Sequence, residues 1–352
     1  MKHLIIRNFG PLREADILLG GVSVIIGMQS SGKSCVLKTA CYCTWVEKRL
    51  QLAQKPNGFS WGSGFMDMMA DYYKVGGYVR PDTYIEYETN YLRFNYDHSL
   101  KQFNYEWKQN RWNWCRHKVS YVPADRNLVA AIPGWSSLSL DGNMIEFMSD
   151  WDRARHFLKR EENILGTGIT YEYNEASNTD IVITPTGQRL DLTSSSSGLQ
   201  SLIPQFVHLD YMFNGQYRDS KKYISYEKKQ EQDNLLSLIK DEDTYRRFIT
   251  TDHSEIFLEE PEQNLFAPTQ CQLVNWLMER TEKHGDRLFV ATHSPYILNQ
   301  ILKLDPKGLT VLFTHPSSKQ QHVFDVRQLT EQEVREIYDN GVDIFFNFEL
   351  YV

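Results

Sequence analysis

The feature that most constrains this chain is an eight-residue run near its start, Gly27-Met28-Gln29-Ser30-Ser31-Gly32-Lys33-Ser34. It has the form G-x-x-x-x-G-K-S and follows the apolar stretch Val22-Ser23-Val24-Ile25-Ile26. Val36, Leu37 and Ala40 come after it at helical spacing. Gly27 and Gly32 let the backbone wrap, so that the N–H groups of the loop (Gln29, Ser30, Ser31 and on to Cys35) point inward. The N-terminus of the next helix adds partial positive charge there. A polyphosphate suits such a cradle: Lys33 would reach its outer phosphates and the Ser34 hydroxyl would bind Mg²⁺. Strand, glycine loop, helix is how an α/β nucleotide-binding unit begins.

Three further segments carry chemistry. Glu255-Ile256-Phe257-Leu258-Glu259-Glu260-Pro261-Glu262 reads as a buried strand ending in adjacent carboxylates. In a parallel sheet such an end lies where ligands bind. Glu259 is then the candidate magnesium ligand, and Glu260 the candidate general base for an attacking water. Leu288-Phe289-Val290-Ala291-Thr292-His293-Ser294-Pro295 is a second such strand, ending in His293, which is placed to hydrogen-bond a terminal phosphate. Leu192-Thr193-Ser194-Ser195-Ser196-Ser197-Gly198 precedes Leu199, Leu202, Ile203 and Phe206, so Ser196 and Gly198 mark a helix N-terminus suited to an anion. Pro204 should bend or loosen the first turns of that helix.

The order of these four segments resembles an ABC-type ATPase head. With Ile6-Arg7-Asn8-Phe9-Gly10-Pro11 and Tyr121-Val122-Pro123-Ala124-Asp125-Arg126, they resemble the ABC/SMC-like AAA ATPases of bacteria and their viruses. That group is related to RecF and to the ATPase half of the overcoming-lysogenization-defect (OLD) nucleases. The resemblance runs from residue 1 to about residue 315. It implies ATP and Mg²⁺ as cofactors, hydrolysis by Glu260, His293 and Lys33, and two heads closing on ATP. Ser196 and Gly198 of one copy would then complete the site of the other. Three departures stand out. Ser197 replaces the first glycine of a transporter signature, Glu259 stands where many heads have Asp, and Leu265-Phe266-Ala267-Pro268 replaces the Leu-His-Pro common in the group. Gln102 and Gln109 are poorly placed candidates for a glutamine loop. Arg126 is open between a contact with the nucleotide or the opposite subunit and a surface salt bridge.

The expected architecture is therefore α/β, a P-loop NTPase of ABC-head type: one head over residues 1–352 with a mixed central sheet. Residues 45–116 are rich in aromatics; segments 83–88, 91–96 and 102–107 alternate large apolar with polar residues and read as an antiparallel β-lobe. Its aromatics are expected to pack their own core, with base stacking on nucleic acid as the functional alternative. Residues 216–247 are strongly polar and read as an inserted helical or loop segment, too short for a coiled-coil arm. Residues 305–352 read as a C-terminal extension, too short for the nuclease domain of OLD chains and without an acidic metal cluster.

A net charge of −7 argues against a uniformly basic nucleic-acid binder, although a local stripe would suffice for DNA contact. The five cysteines, irregularly spaced, form no disulfide framework, and no metal-ligand cluster is expected outside the nucleotide site. No long apolar run or secretory leader is evident, so a cytoplasmic protein without a membrane segment is expected. Three roles follow from the resemblance. The first is an ATPase subunit, a homodimer or higher oligomer, controlling a separate nuclease or toxin in defence against phage. The second is a RecF-like DNA repair ATPase, and the third a transporter ATPase.

Overall fold

Side-chain alternation along the buried strands sets the layering. The computed structural model describes residues 1–132, 142–219 and 226–340. In chain order the first half contains β1 (Lys2–Phe9), β2 (Leu12–Leu19), β3 (Val22–Gly27), α1 (Lys33–Ala53), α2 (Gly64–Tyr73), β4 (Val79–Glu88), β5 (Leu92–Asp97), β6 (Gln102–Trp107), β7 (His117–Val122), α3 (Leu128–Ala131) and α4 (Asn143–Leu158). Next come β8 (Arg160–Glu161), β9 (Thr170–Asn174), β10 (Thr179–Ile183), β11 (Arg189–Asp191), α5 (Ser197–Asp210), α6 (Gln216–Asp219), α7 (Tyr226–Leu238) and α8 (Glu242–Ile249). The chain then runs through β12 (His253–Glu259), α9 (Ala267–His284), β13 (Arg287–Ala291), α10 (Pro295–Leu304), β14 (Leu309–Pro316), β15 (Phe324–Gln328) and α11 (Glu331–Asn340).

Eleven strands form one mixed sheet in the order β6-β5-β4-β1-β2-β15-β14-β3-β13-β12-β7. The five strands from β14 to β7 are parallel. From β2 through β1, β4 and β5 to β6 the pairing is antiparallel. Period-two alternation sends neighbouring residues of one strand to opposite faces. Val24, Ile26, Ile256, Leu258, Leu288 and Val290 pack into one core with α4, α5, α9 and α10. Ile25, Phe257, Phe289 and Leu312 pack into the other, against α1 and α2. Phe257 and Phe289 stack with centroids 4.4 Å apart. With helices over both faces, the parallel strands read as near-continuous apolar runs, as strands buried on both sides must.

This is the α/β P-loop architecture the sequence predicts, a mixed central sheet with antiparallel strands at one side. Three expectations about its parts need correction. Residues 45–53 are the last turns of α1 and not part of the β-lobe, whose antiparallel strands are present as β4, β5 and β6 and join the main sheet through the pairing of β4 with β1. Their aromatics do pack on one another, with Phe65 lying 5.4 Å from Phe103 and 5.1 Å from Tyr96. The 305–352 stretch is not an extension over its described part. β14 pairs with β3 from Leu309 opposite Val22 to Thr314 opposite Gly27, at the heart of the sheet. α5 continues as helix through Pro204, and the wider π-type turn comes later, at Tyr211–Gly215.

The polar 216–247 stretch supplies α6, α7 and most of α8. Leu235 and Ile239 join Phe248, Trp114 and Leu52 in a small third core, which fastens this stretch to the end of α1. A four-stranded antiparallel sheet, β11-β10-β9-β8, is an addition the sequence reading did not anticipate. Among the described residues no helix is long and apolar enough to cross a membrane. Of the expected 305–352 extension, residues 341–352 lie outside the described residues.

Candidate nucleotide site

Register brings the chemistry to one edge. Gly27 lies opposite Thr314, Ile25 opposite Ala291, and Ala291 opposite Glu259, so the C-terminal ends of β3, β12, β13 and β14 line up. The loop after β3 depends on its glycines. Gly27 has φ +146°, and a Cβ there would lie 1.9 Å from Thr314 Oγ1; Gly32 has φ +96°, and its Cβ would meet Leu12 Cδ2 at 2.6 Å. No larger residue fits either position. Ser31 Oγ donates to Met28 O at 2.7 Å and is paired with the Thr314 hydroxyl, which ties the loop to β14.

α1 begins at Lys33 with no side-chain cap, so its first-turn N–H groups, those of Ser34 and Cys35 included, face the loop. Lys33 Nζ donates to the loop's own carbonyls, Gly27 O at 3.0 Å and Met28 O at 2.6 Å. Burial lowers its pKa to about 8 against the opposing pull of Glu260 and Glu262. Gln29 and Ser30 stay exposed at the loop tip.

β12 delivers Glu259, nearly buried, which accepts a 2.5 Å hydrogen bond from Tyr121 Oη. Burial pushes the Tyr121 phenol well above its usual range, so it remains a donor. Glu260 follows in the left-handed region at φ +45°. Its N–H donates to Ala291 O at 2.9 Å, and its carboxylate lies 3.4 Å from His293 Nε2. That contact with His293 leads the effects that hold Glu260 below the ordinary carboxylate range. Glu262 accepts the His293 N–H at 2.6 Å, and burial raises its pKa. His293 is further fixed by Ser294, which caps α10 by accepting from the N–H groups of Tyr296 and Ile297.

Arg126 settles neither as a nucleotide contact nor as a surface salt bridge. Its side chain is fully buried, and it donates to Glu259 O at 3.0 Å, Glu260 O at 2.9 Å and Pro123 O at 3.2 Å. Desolvation brings its pKa down to about 10. The guanidinium thus holds the strained turn that carries both carboxylates.

Ser196 caps α5, and Gly198 sits so close to Asn264 O that a Cβ would come within 3.1 Å. This start of α5 therefore borders the turn after Glu262, and the helix packs on α3, α4 and the Ala124–Asn127 turn. Gln102 begins β6, the outermost strand on the side away from the parallel half, so it is not at this edge; Gln109 follows the end of the same strand.

No family model matches the chain, and no curated protein matches it. Among solved structures it is similar to the SMC head domain from Thermotoga maritima, with 12% identity over 93% of this chain and 98% of that one and a TM-score of 0.45. It is also similar to the Smc head domain with a coiled coil and joint derived from Pyrococcus yayanosii, at 7% identity, 97% and 99% coverage and a TM-score of 0.46. The ADP conformation of an ATP-binding cassette of an ABC transporter gives 12% identity, 98% and 99% coverage and a TM-score of 0.35.

Of the predicted residues, the fold gathers Lys33, Glu259, Glu260 and His293 with the 27–34 loop. Ser196 and Gly198 stand apart, beside Asn264. Tyr121, Glu262 and Thr314 belong to the same edge and were given no role in the sequence reading. The sequence signals for Tyr121 are its place near the end of a short apolar run followed by Pro123 and its membership of the Tyr121–Arg126 segment that carries the resemblance.

Proposed function

We propose that this chain binds ATP with Mg²⁺ and hydrolyses it, and that two copies close head to head around the nucleotide. The observation that carries the reading is the meeting of the glycine loop, Lys33, Glu259, Glu260 and His293 at one sheet edge. The loop's donor set suits a polyphosphate. Its glycines exclude any side chain from the cradle, and Lys33 Nζ has only backbone carbonyls to exchange for phosphate oxygens. Ser34 and Glu259 would hold Mg²⁺, which neutralises charge on the phosphoryl oxygens. Glu260 is the general base. His293 keeps it ionised and Arg126 fixes its backbone, so it can take a proton from water.

Ser196 and Ser197 are exposed at the start of α5, and Phe266, just beyond the carboxylate turn, is 78% exposed. These features support a face that meets a second copy, with Ser196 and Gly198 serving the partner's nucleotide. An effector on a separate chain, a nuclease or toxin acting against phage, completes the proposal and rests on the sequence resemblance. Sedimentation of Glu260→Gln with Mg-ATP tests the dimer. A shift to twice the monomer mass at micromolar concentration, absent with ADP, is expected; a monomer under both conditions would refute head closure. Co-purification from native cells tests the effector, and recovery of DNA alone would favour the repair role instead.

A further inference from the structure

At the opposite edge of the parallel strands lies a second cluster that hydrolysis does not use. His253 opens β12 and is in register with His117, which opens β7. Glu255, two residues on, points to the same face as His253. One ligand atom from each of these three side chains lies within 4.8 Å of the other two. They line a cavity of about 60 Å³, together with Lys2, Glu47, Cys115 and Arg287. That is room for an ion and about one water, and too little for a metabolite.

Three details distinguish this cluster from an ordinary buried ion pair. His117 is 2% exposed, yet its Nε2 has no hydrogen-bond partner among the described residues, a costly state for a buried nitrogen. His253 Nδ1 lies 2.9 Å from Asp252 Oδ2, so with the proton on Nδ1 the Nε2 lone pair faces Glu255. His253 Nε2 and Glu255 Oε1 are 3.5 Å apart, longer than the ~2.8 Å of a charge-assisted hydrogen bond. It is close to the roughly 3.3 Å between two ligand atoms on a tetrahedral ion with ~2.0 Å bonds.

We propose that His117, His253 and Glu255 form a binding site for a divalent transition-metal ion of the zinc class, with its fourth position open to the cavity. Two imidazoles and a carboxylate are a ligand set zinc accepts. Lys2 pairs with Glu255 Oε2 and leaves Oε1 facing the histidines, while Arg287 stays 3.9 Å from that oxygen. Lys2, Arg287 and the Met1 ammonium share the cavity with Glu255 and Glu47, and Asp252 adds a negative charge behind His253. The ion would join the starts of β7 and β12 and, through Lys2, that of β1, far along the strands from the nucleotide edge.

The test uses the full chain, stripped with chelator and free of nucleotide. Cobalt(II) should bind at one equivalent with the intense visible bands of a tetrahedral site, and zinc should displace it and raise the melting temperature. His253→Gln should weaken zinc by at least ~100-fold, and Asp252→Ala, at an exposed side chain, by about 10- to 100-fold. Glu259→Gln should leave the cobalt spectrum unchanged. Absence of visible bands, bands that survive His253→Gln, or bands lost in Glu259→Gln would each overturn the site. Because none of these readouts requires ATP, failure here leaves the hydrolysis proposal standing.

Discussion

Arg126 offers a perturbation whose consequences for stability and for turnover should separate. Replacing it with Met keeps most of the volume and removes the donors to Glu259 O and Glu260 O. Hydrogen bonds from a charged group contribute about 1.5–3 kcal/mol each. Against this, the variant no longer holds a desolvated cation, a penalty already visible in the fall of its pKa to about 10. The opposing terms leave a net stability loss of roughly 1–3 kcal/mol. Turnover should suffer more. Glu260 sits at φ +45°, a conformation costing about 1–2 kcal/mol that relaxes once its carbonyl is released. A shift of ~1 Å in the carboxylate costs on the order of 100-fold in rate. The assay is steady-state hydrolysis with nucleotide affinity measured separately, alongside a thermal melt. Arg126→Met should lower kcat about 100-fold and leave ATP affinity within a few-fold, since the hydrogen bonds of Arg126 go to Pro123, Glu259 and Glu260 and not to the 27–34 loop. A variant that melts a few degrees lower but turns over at the wild-type rate would refute the positioning role.

The pKa of Lys33, lowered to about 8, makes two opposite pH trends in the nucleotide-free protein. A cation with a folded pKa below its unfolded value sheds its proton first in the native state, so its contribution to stability grows as pH rises from 8 toward 10.5. ATP affinity should fall across the same window, because phosphate needs the ammonium; calorimetry in buffers of different ionisation enthalpy should show proton uptake on binding above pH 8. Ser196→Arg places a bulky cation at the exposed start of α5, and should abolish hydrolysis while leaving equilibrium binding of a fluorescent ATP analogue unchanged.

What the sequence disclosed and what it withheld divide along contact range. The 27–34 loop, the carboxylate pair and His293 were legible because each is a local pattern, an apolar strand followed by a polar turn. Arg126 was not, because its role depends on carbonyls 133 and 134 residues away, and nothing local marks a buried arginine. The tail misled for the same reason. β14 looks like any short apolar run, and only its register with β3 reveals that Thr314 anchors the 27–34 loop. The second sheet escaped notice because its strands are two to five residues long, too short for periodicity to show. The His117–His253–Glu255 cluster contradicts the expectation that no metal-ligand group exists outside the nucleotide site. It is assembled from two strands 136 residues apart, pairing His117 with His253, and no spacing motif could announce it.

The central claim, that the gathered edge is a hydrolytic ATP site, is tested most directly by phosphate release from Mg-ATP in parallel with ATP binding, for wild type, Lys33→Ala and Glu260→Gln. The account predicts slow but measurable release by wild type. Lys33→Ala should neither bind nor hydrolyse, and Glu260→Gln should bind with wild-type affinity and lose at least ~100-fold in rate. Wild-type turnover by Glu260→Gln, or full ATP affinity in Lys33→Ala, would contradict it.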